Sequence, residues 1–151
     1  MMEAVPDFED LLVLFHQHDV RYLIVGGLAF IYHAKPRYTK DMDIWVENTH
    51  ANIERANTAL HEFGSPTLLS HDEPEQIVQI GLAPNRIDLL VHLEPVSFGE
   101  AWEKRIISTY GDSPACWIDL DSLLSIKSSI NHPRHQEDAR VLRQVKELKK
   151  K

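Results

Sequence analysis

The sequence predicts an α/β (α+β) fold: a small mixed β-sheet with flanking helices and a short helical extension at the C-terminal end. Three observations carry that expectation. Short apolar runs alternate with segments of helical period, two of the later runs are separated only by a turn, and the pattern after the last run is helical alone. The 151 residues suffice for a single domain with a proper core, placed at about 8–118, with C-terminal helices over about 119–149.

Phe8, Leu11, Leu12 and Phe15 recur at helical spacing and predict an amphipathic helix over 8–18, capped by Asp7. Tyr22 to Val25 is a buried strand that runs into the tight turn Gly26-Gly27. Leu28 to Ala34 is apolar nearly all round and reads as a buried helix stopped by Pro36, with His33 as a satisfied core residue. Met42 to Glu47 forms the next strand, with Met42, Ile44 and Val46 on one face and Asp43, Trp45 and Glu47 on the other. Thr49 caps a helix over about 50–63, which ends at Gly64 before Pro66. Ile77 to Leu82 and Arg86 to His92 are two strands joined by Ala83-Pro84-Asn85. A helix is expected over 97–107 and a short strand over Ala115 to Ile118. Asp119 or Asp121 then caps a helix to about Ile130, Asn131-His132-Pro133 breaks it, and a last helix runs over about 134–148.

Composition narrows the function classes. No apolar run approaches the roughly 20 residues of a membrane helix. Glu3, Asp7, Glu9 and Asp10 make the N-terminus acidic, unlike a secretory signal, and the lone Cys116 permits no intrachain disulfide. A reducing, cytoplasmic location is expected. The net charge of −7 is unevenly spread: residues 127–151 carry eight Lys or Arg against three Asp or Glu, and the remainder is strongly acidic. The basic segment can face phosphate, or be a solvated helix with a frayed end at Lys149–Lys151.

The chemistry gathers on a few residues. Asp41 and Asp43 stand at i and i+2 on a strand, so both project from one face, where their repulsion is relieved by a divalent cation. Carboxylate oxygens suit magnesium or manganese rather than zinc. Gly26 and Gly27, between a strand and a helix, allow close backbone approach to a phosphate at the helix start. Asp88 interrupts an apolar strand, which is costly unless it faces a site or pairs with Arg86. Each feature alone has a bland alternative, a solvated turn, a positive-φ turn or a surface acid. Together they make a set able to hold two magnesium ions for nucleotidyl transfer. Arg37 and Lys40, just before the carboxylates, can bind triphosphate or RNA, or balance charge; Thr39 can hydrogen-bond Asp41.

Val25-Gly26-Gly27-Leu28-Ala29, followed by Arg37-Tyr38-Thr39-Lys40-Asp41-Met42-Asp43-Ile44, resembles the signature of the DNA polymerase β-like nucleotidyltransferase superfamily. The Gly-Gly form with Arg-x-Thr-x-Asp-x-Asp is similar to its AbiEii-type branch, which includes toxins of bacterial toxin–antitoxin systems. Asp88 falls where the superfamily places a third carboxylate. Leu123 to Lys127, followed by Arg134-His135-Gln136-Glu137-Asp138, resembles a downstream helical motif of the branch. The resemblance implies that Lys127 reaches the triphosphate and that Asp138 and Arg134 lie near the site as accessory residues. It implies an enzyme that moves a nucleoside monophosphate from an NTP to a hydroxyl on RNA or tRNA, protein or a small molecule, using magnesium or manganese and releasing pyrophosphate. Toxins of this branch are usually longer than this chain, which keeps a second reading open: a non-catalytic, antitoxin-like module that binds nucleotide or regulates a partner protein from a two-gene system. A third is an antibiotic-modifying nucleotidyltransferase, whose cationic substrates would suit the acidic body.

Overall fold

The structure, a computed structural model, describes residues 4–150; Glu3 and Lys151, which belong to the acidic N-terminus and the basic tail, lie outside the described residues. Six strands form one mixed sheet: β1 (Tyr22–Val25), β2 (Asp41–Val46), β3 (Ile77–Ile80), β4 (Arg86–Leu90), β5 (Ile106–Tyr110) and β6 (Ser113–Trp117). Their order across the sheet is β3-β4-β2-β1-β6-β5. Six helices flank it: α1 (Pro6–Gln17), α2 (Gly26–His33), α3 (His50–Phe63), α4 (Phe98–Glu103), α5 (Leu120–Ser129) and α6 (Pro133–Lys149).

The central strands explain their own sequences. All four residues of β1 are buried, which is why it reads as an unbroken apolar run rather than an alternating one. β1 is antiparallel to β2 and parallel to β6, while β2 is parallel to β4. The pairs β3–β4 and β5–β6 are antiparallel hairpins. Trp45, on the Asp43 face, is 2% exposed and meets Phe98 edge-on at 5.2 Å, so it fills the interface below α4. Asn52 on α3 is buried and fully used: it accepts from the Arg21 amide and donates to the carbonyls of Arg21 and Glu47. That pairing removes the penalty of a buried amide and ties α3 to the ends of β1 and β2. His33 sits in the core as expected, its Nε2 2.7 Å from the Ile118 carbonyl oxygen, and Cys116 is buried.

Several boundaries differ from the sequence expectation, each for a local reason. α1 begins at Pro6, with Val5 as an N-cap that offers no side-chain bond, so Asp7 is inside the first turn instead of capping. There its charge favours the positive end of the helix dipole. α2 starts at Gly26 itself, two residues before the expected Leu28. The expected helix over 97–107 stops at Glu103, and Ile106–Tyr110 becomes the edge strand β5. The sequence Ile-Ile-Ser-Thr-Tyr is rich in β-branched residues, and Gly111, at φ +58°, makes the turn into β6. Thr49 caps α3 through the Asn52 amide, Asp119 caps α5 through the Ser122 amide, and Gly64 ends α3 in a left-handed conformation. His132, in the expected break, caps α6.

Candidate functional site

Strand pairing assembles the three acids. Because β1 and β2 are antiparallel, the end of β1 meets the start of β2, and Val25 pairs with Asp43. Because β2 and β4 are parallel, Asp43 pairs with Asp88 and Asp41 with Arg86. Residues 45 positions apart in the chain therefore sit side by side at one end of the sheet. Asp41, Asp43 and Asp88 each offer a carboxylate oxygen within 4.8 Å of the others, a spacing suited to a shared divalent cation.

The glycines are dictated by that cluster. Gly26 adopts φ +66°, and a Cβ there would lie 2.1 Å from Oδ2 of Asp43. No side chain fits at this position without pushing the carboxylate away. A Cβ on Gly27 would come 2.7 Å from Oγ1 of Thr39. Thr39 in turn donates to the Asp41 backbone carbonyl at 3.3 Å, so its bond with Asp41 holds the loop and not the carboxylate.

The facing wall is cationic. Asp138 is buried on α6 and accepts from Lys127 Nζ at 2.9 Å and from Arg37 Nη1 at 2.7 Å. Lys127 is itself 3% exposed and lies 3.2 Å from Nδ1 of His135. Arg37 also stacks over the Phe30 ring at 4.6 Å, and its Nε is buried without a partner. Asp138 thus holds two cations at fixed positions while cancelling only one of their charges.

Between the walls lies a cleft of about 420 Å³ lined by Gly26, Gly27, Arg37, Thr39, Lys40, Asp41, Asp43, Lys127 and Arg134, together with Tyr38 and His135. Every residue singled out from the sequence is therefore on the cleft or directly behind it, for Asp88 and Asp138 stand in the second position. The sequence offered Arg86 as a partner for Asp88, and the structure makes that pair and adds Asp41 to it, whereas His135 and Tyr38 carried no expected site role. Arg86 carried a signal, since it lies two residues before Asp88 and so shares its strand face.

Electrostatics set the three acids of the cluster against one another. Burial, then the charges of Asp41 and Asp88, push the Asp43 carboxyl up to about 7 against the opposing pull of Lys127 and Arg86. Burial and Asp88 also raise Asp41, which Arg86 opposes. Burial lowers Lys127, and its bond to Asp138 counters this.

At the level of sequence, no protein-family model and no curated protein matches the chain. Solved structures do. The lincosamide antibiotic adenylyltransferase LnuA, with lincomycin bound, superposes with a TM-score of 0.60 at 17% identity, covering 95% of this chain and 99% of that one. The chain has a nucleotidyltransferase fold. ANT(2")-Ia in complex with adenylyl-2"-tobramycin superposes with a TM-score of 0.57 at 13% identity, covering 93% of this chain and 91% of that one. Among the described residues no helix is long and apolar enough to cross a membrane.

Proposed function

We propose that the chain is a metal-dependent nucleotidyltransferase that moves a nucleoside monophosphate from an NTP to a hydroxyl acceptor. The observation that carries this is the parallel register of Asp43 with Asp88, which joins Asp41 to form a three-carboxylate cluster beside Gly26-Gly27. The donor set fits magnesium or manganese: three hard oxygens converge, and Gly26 leaves space where any Cβ would fill it. Asp41 and Asp43, joined by Asp88 when Arg86 releases it, would hold metal, which would supply acceptor activation and neutralise charge on the triphosphate.

The chain's own residues do the rest. Gly26 and Gly27 open α2, whose free amides favour phosphate oxygens. Arg37 and Lys127, held apart by Asp138, and Lys40 and Arg134 at the rim supply positive charge to the triphosphate. In the reaction the acceptor oxygen bonds to the α-phosphorus, the bond to the pyrophosphate oxygen breaks, and the acceptor proton passes to the carboxylate of Asp88 once Arg86, which donates to both its oxygens, has released it. Positioning and charge neutralisation supply most of the acceleration.

A small-molecule acceptor is favoured by the fold neighbours, one a lincosamide adenylyltransferase and the other bound to adenylyl-2"-tobramycin. The acidic body outside the C-terminal segment suits a cationic acceptor. An RNA or tRNA acceptor, and a place in an AbiEii-type toxin–antitoxin pair with a partner protein, draw on the Arg37–Ile44 motif and the basic α6. The test is transfer from each α-labelled NTP with magnesium to lincosamides, aminoglycosides, total tRNA and a cell lysate. Label on one antibiotic and none on tRNA is expected. Label on no acceptor from a folded protein would replace this reading with the non-catalytic module.

A further inference from the structure

The three carboxylates are not equivalent. Arg86 covers both oxygens of Asp88, with Nε donating to Oδ1 at 2.8 Å and Nη2 to Oδ2 at 2.9 Å. The same Nη2 donates to Oδ2 of Asp41 at 2.8 Å. A planar guanidinium suits this fork-like grip, which a lysine cannot reproduce. Asp43, by contrast, receives no side-chain hydrogen bond among the described residues, and Asp41 receives one, on Oδ2 alone. One edge of the cluster is therefore occupied by a resident cation and the other is free.

Charge points the same way. With all three carboxylates ionised, the single guanidinium leaves two negative charges, which one divalent ion neutralises. A second ion between Asp41 and Asp88 would stand against a fixed positive charge at close range. Arg86 is fixed there by the fold, because it precedes Asp88 by two residues and pairs with Asp41 across the β2–β4 register. Its side chain is 23% exposed, so a path to solvent exists if it lets go.

Resting on the nucleotidyltransferase reading above, we propose that Arg86 occupies the place of a second divalent ion. The nucleotide-free protein then binds one ion, between Asp41 and Asp43, and admits another only when Arg86 releases Asp88. Arg86 is a positioning residue in this scheme: it keeps Asp88 aimed into the cluster and delays full metal loading until a ligand draws the guanidinium away.

Manganese is the probe, titrated into the full-length protein without nucleotide and followed by electron paramagnetic resonance of the free ion and by calorimetry. Wild type should bind one ion and Arg86→Gln two. Asp43→Asn should weaken the first ion by about tenfold or more, whereas Asp88→Asn should leave it within about twofold. Two ions on the wild type, or the same stoichiometry with and without Arg86, overturns the proposal while leaving the metal site standing. Should Arg86→Gln fail to fold, the Asp pair decides: equal weakening by both substitutions overturns it. Failure of the wild type to bind manganese at all overturns the underlying metal reading together with it.

Discussion

The two walls of the cleft handle buried charge in opposite ways. On the α5–α6 wall one carboxylate, Asp138, serves two cations, Lys127 and Arg37, and the wall stays net positive. On the sheet wall one cation, Arg86, serves two carboxylates, Asp88 and Asp41, and with Asp43 the wall stays net negative. Each wall holds a central counter-ion that fixes geometry without neutralising its neighbours. A molecule with both anionic phosphate and a divalent cation answers both excesses at once, which is what a metal–nucleotide complex offers.

The largest effect should come from removing the negative wall. Asp41→Ala/Asp43→Ala should lower transfer by about a thousandfold or more while leaving circular dichroism unchanged. Residual transfer near the wild-type rate would show that the cluster is not the reaction centre.

The next tests the unsolvated charge on that wall through pH. Asp43 titrates near 7 in the fold but near 4 in an unfolded chain, so the folded form binds the extra proton between those values. Stability of the metal-free protein should therefore fall as pH rises from about 4 to about 7 and then level off. Magnesium should raise the melting temperature more at pH 8 than at pH 5, where the proton competes for the same carboxylate. Chemical denaturation in a chelating buffer, repeated with magnesium, measures both; equal magnesium shifts at the two pH values would argue against metal at Asp43.

The positive wall should answer differently. Asp138→Asn strands two cations, one of them fully buried, and should cost about 3 kcal/mol of stability. Its thermal midpoint should fall whether or not metal is present, in contrast to the metal-sensitive acidic wall. A variant with unchanged midpoint and only a raised KM for NTP would mean that water can screen Lys127 and Arg37 without Asp138.

The smallest expected change is Gly26→Ala. The φ of +66° alone costs an alanine about 1–2 kcal/mol. Its Cβ must also displace Oδ2 of Asp43, so manganese affinity should drop along with the melting temperature. Loss of stability with intact manganese binding would show that Asp43 can swing clear without leaving the metal position.

Much of this site was legible from residue types and spacing. Asp-x-Asp on a strand, Gly-Gly at a strand–helix junction and a lone Asp in an apolar strand are local patterns with local physical reasons, and the expected residues do converge. The strands β1, β2 and β4 and the capped helices α3 and α5 followed for the same reason, since burial period and capping residues act over a few positions. β5 did not, although Ile106–Tyr110 is β-branched. Its edge position leaves Ile107 73% exposed, so no clean alternation of apolar and polar residues marked it. Asp7 misled because any acid near a helix start resembles a cap, and only the backbone shows that Pro6 has already begun the helix.

The sequence by itself determined the element types around the site, the identity of the three carboxylates and the need for glycine beside them. The sequence offered Arg86 as a partner for Asp88, but only the tertiary structure added Asp41 to that pair and decided the pairing on the facing wall. Arg86 bridges Asp88 and Asp41, and Asp138 bridges Lys127 and Arg37, because of strand register and helix packing across 45 and 101 residues of chain. Charge pairing depends on distances of a few ångströms, and no periodicity along a chain encodes a distance between segments that meet only after folding.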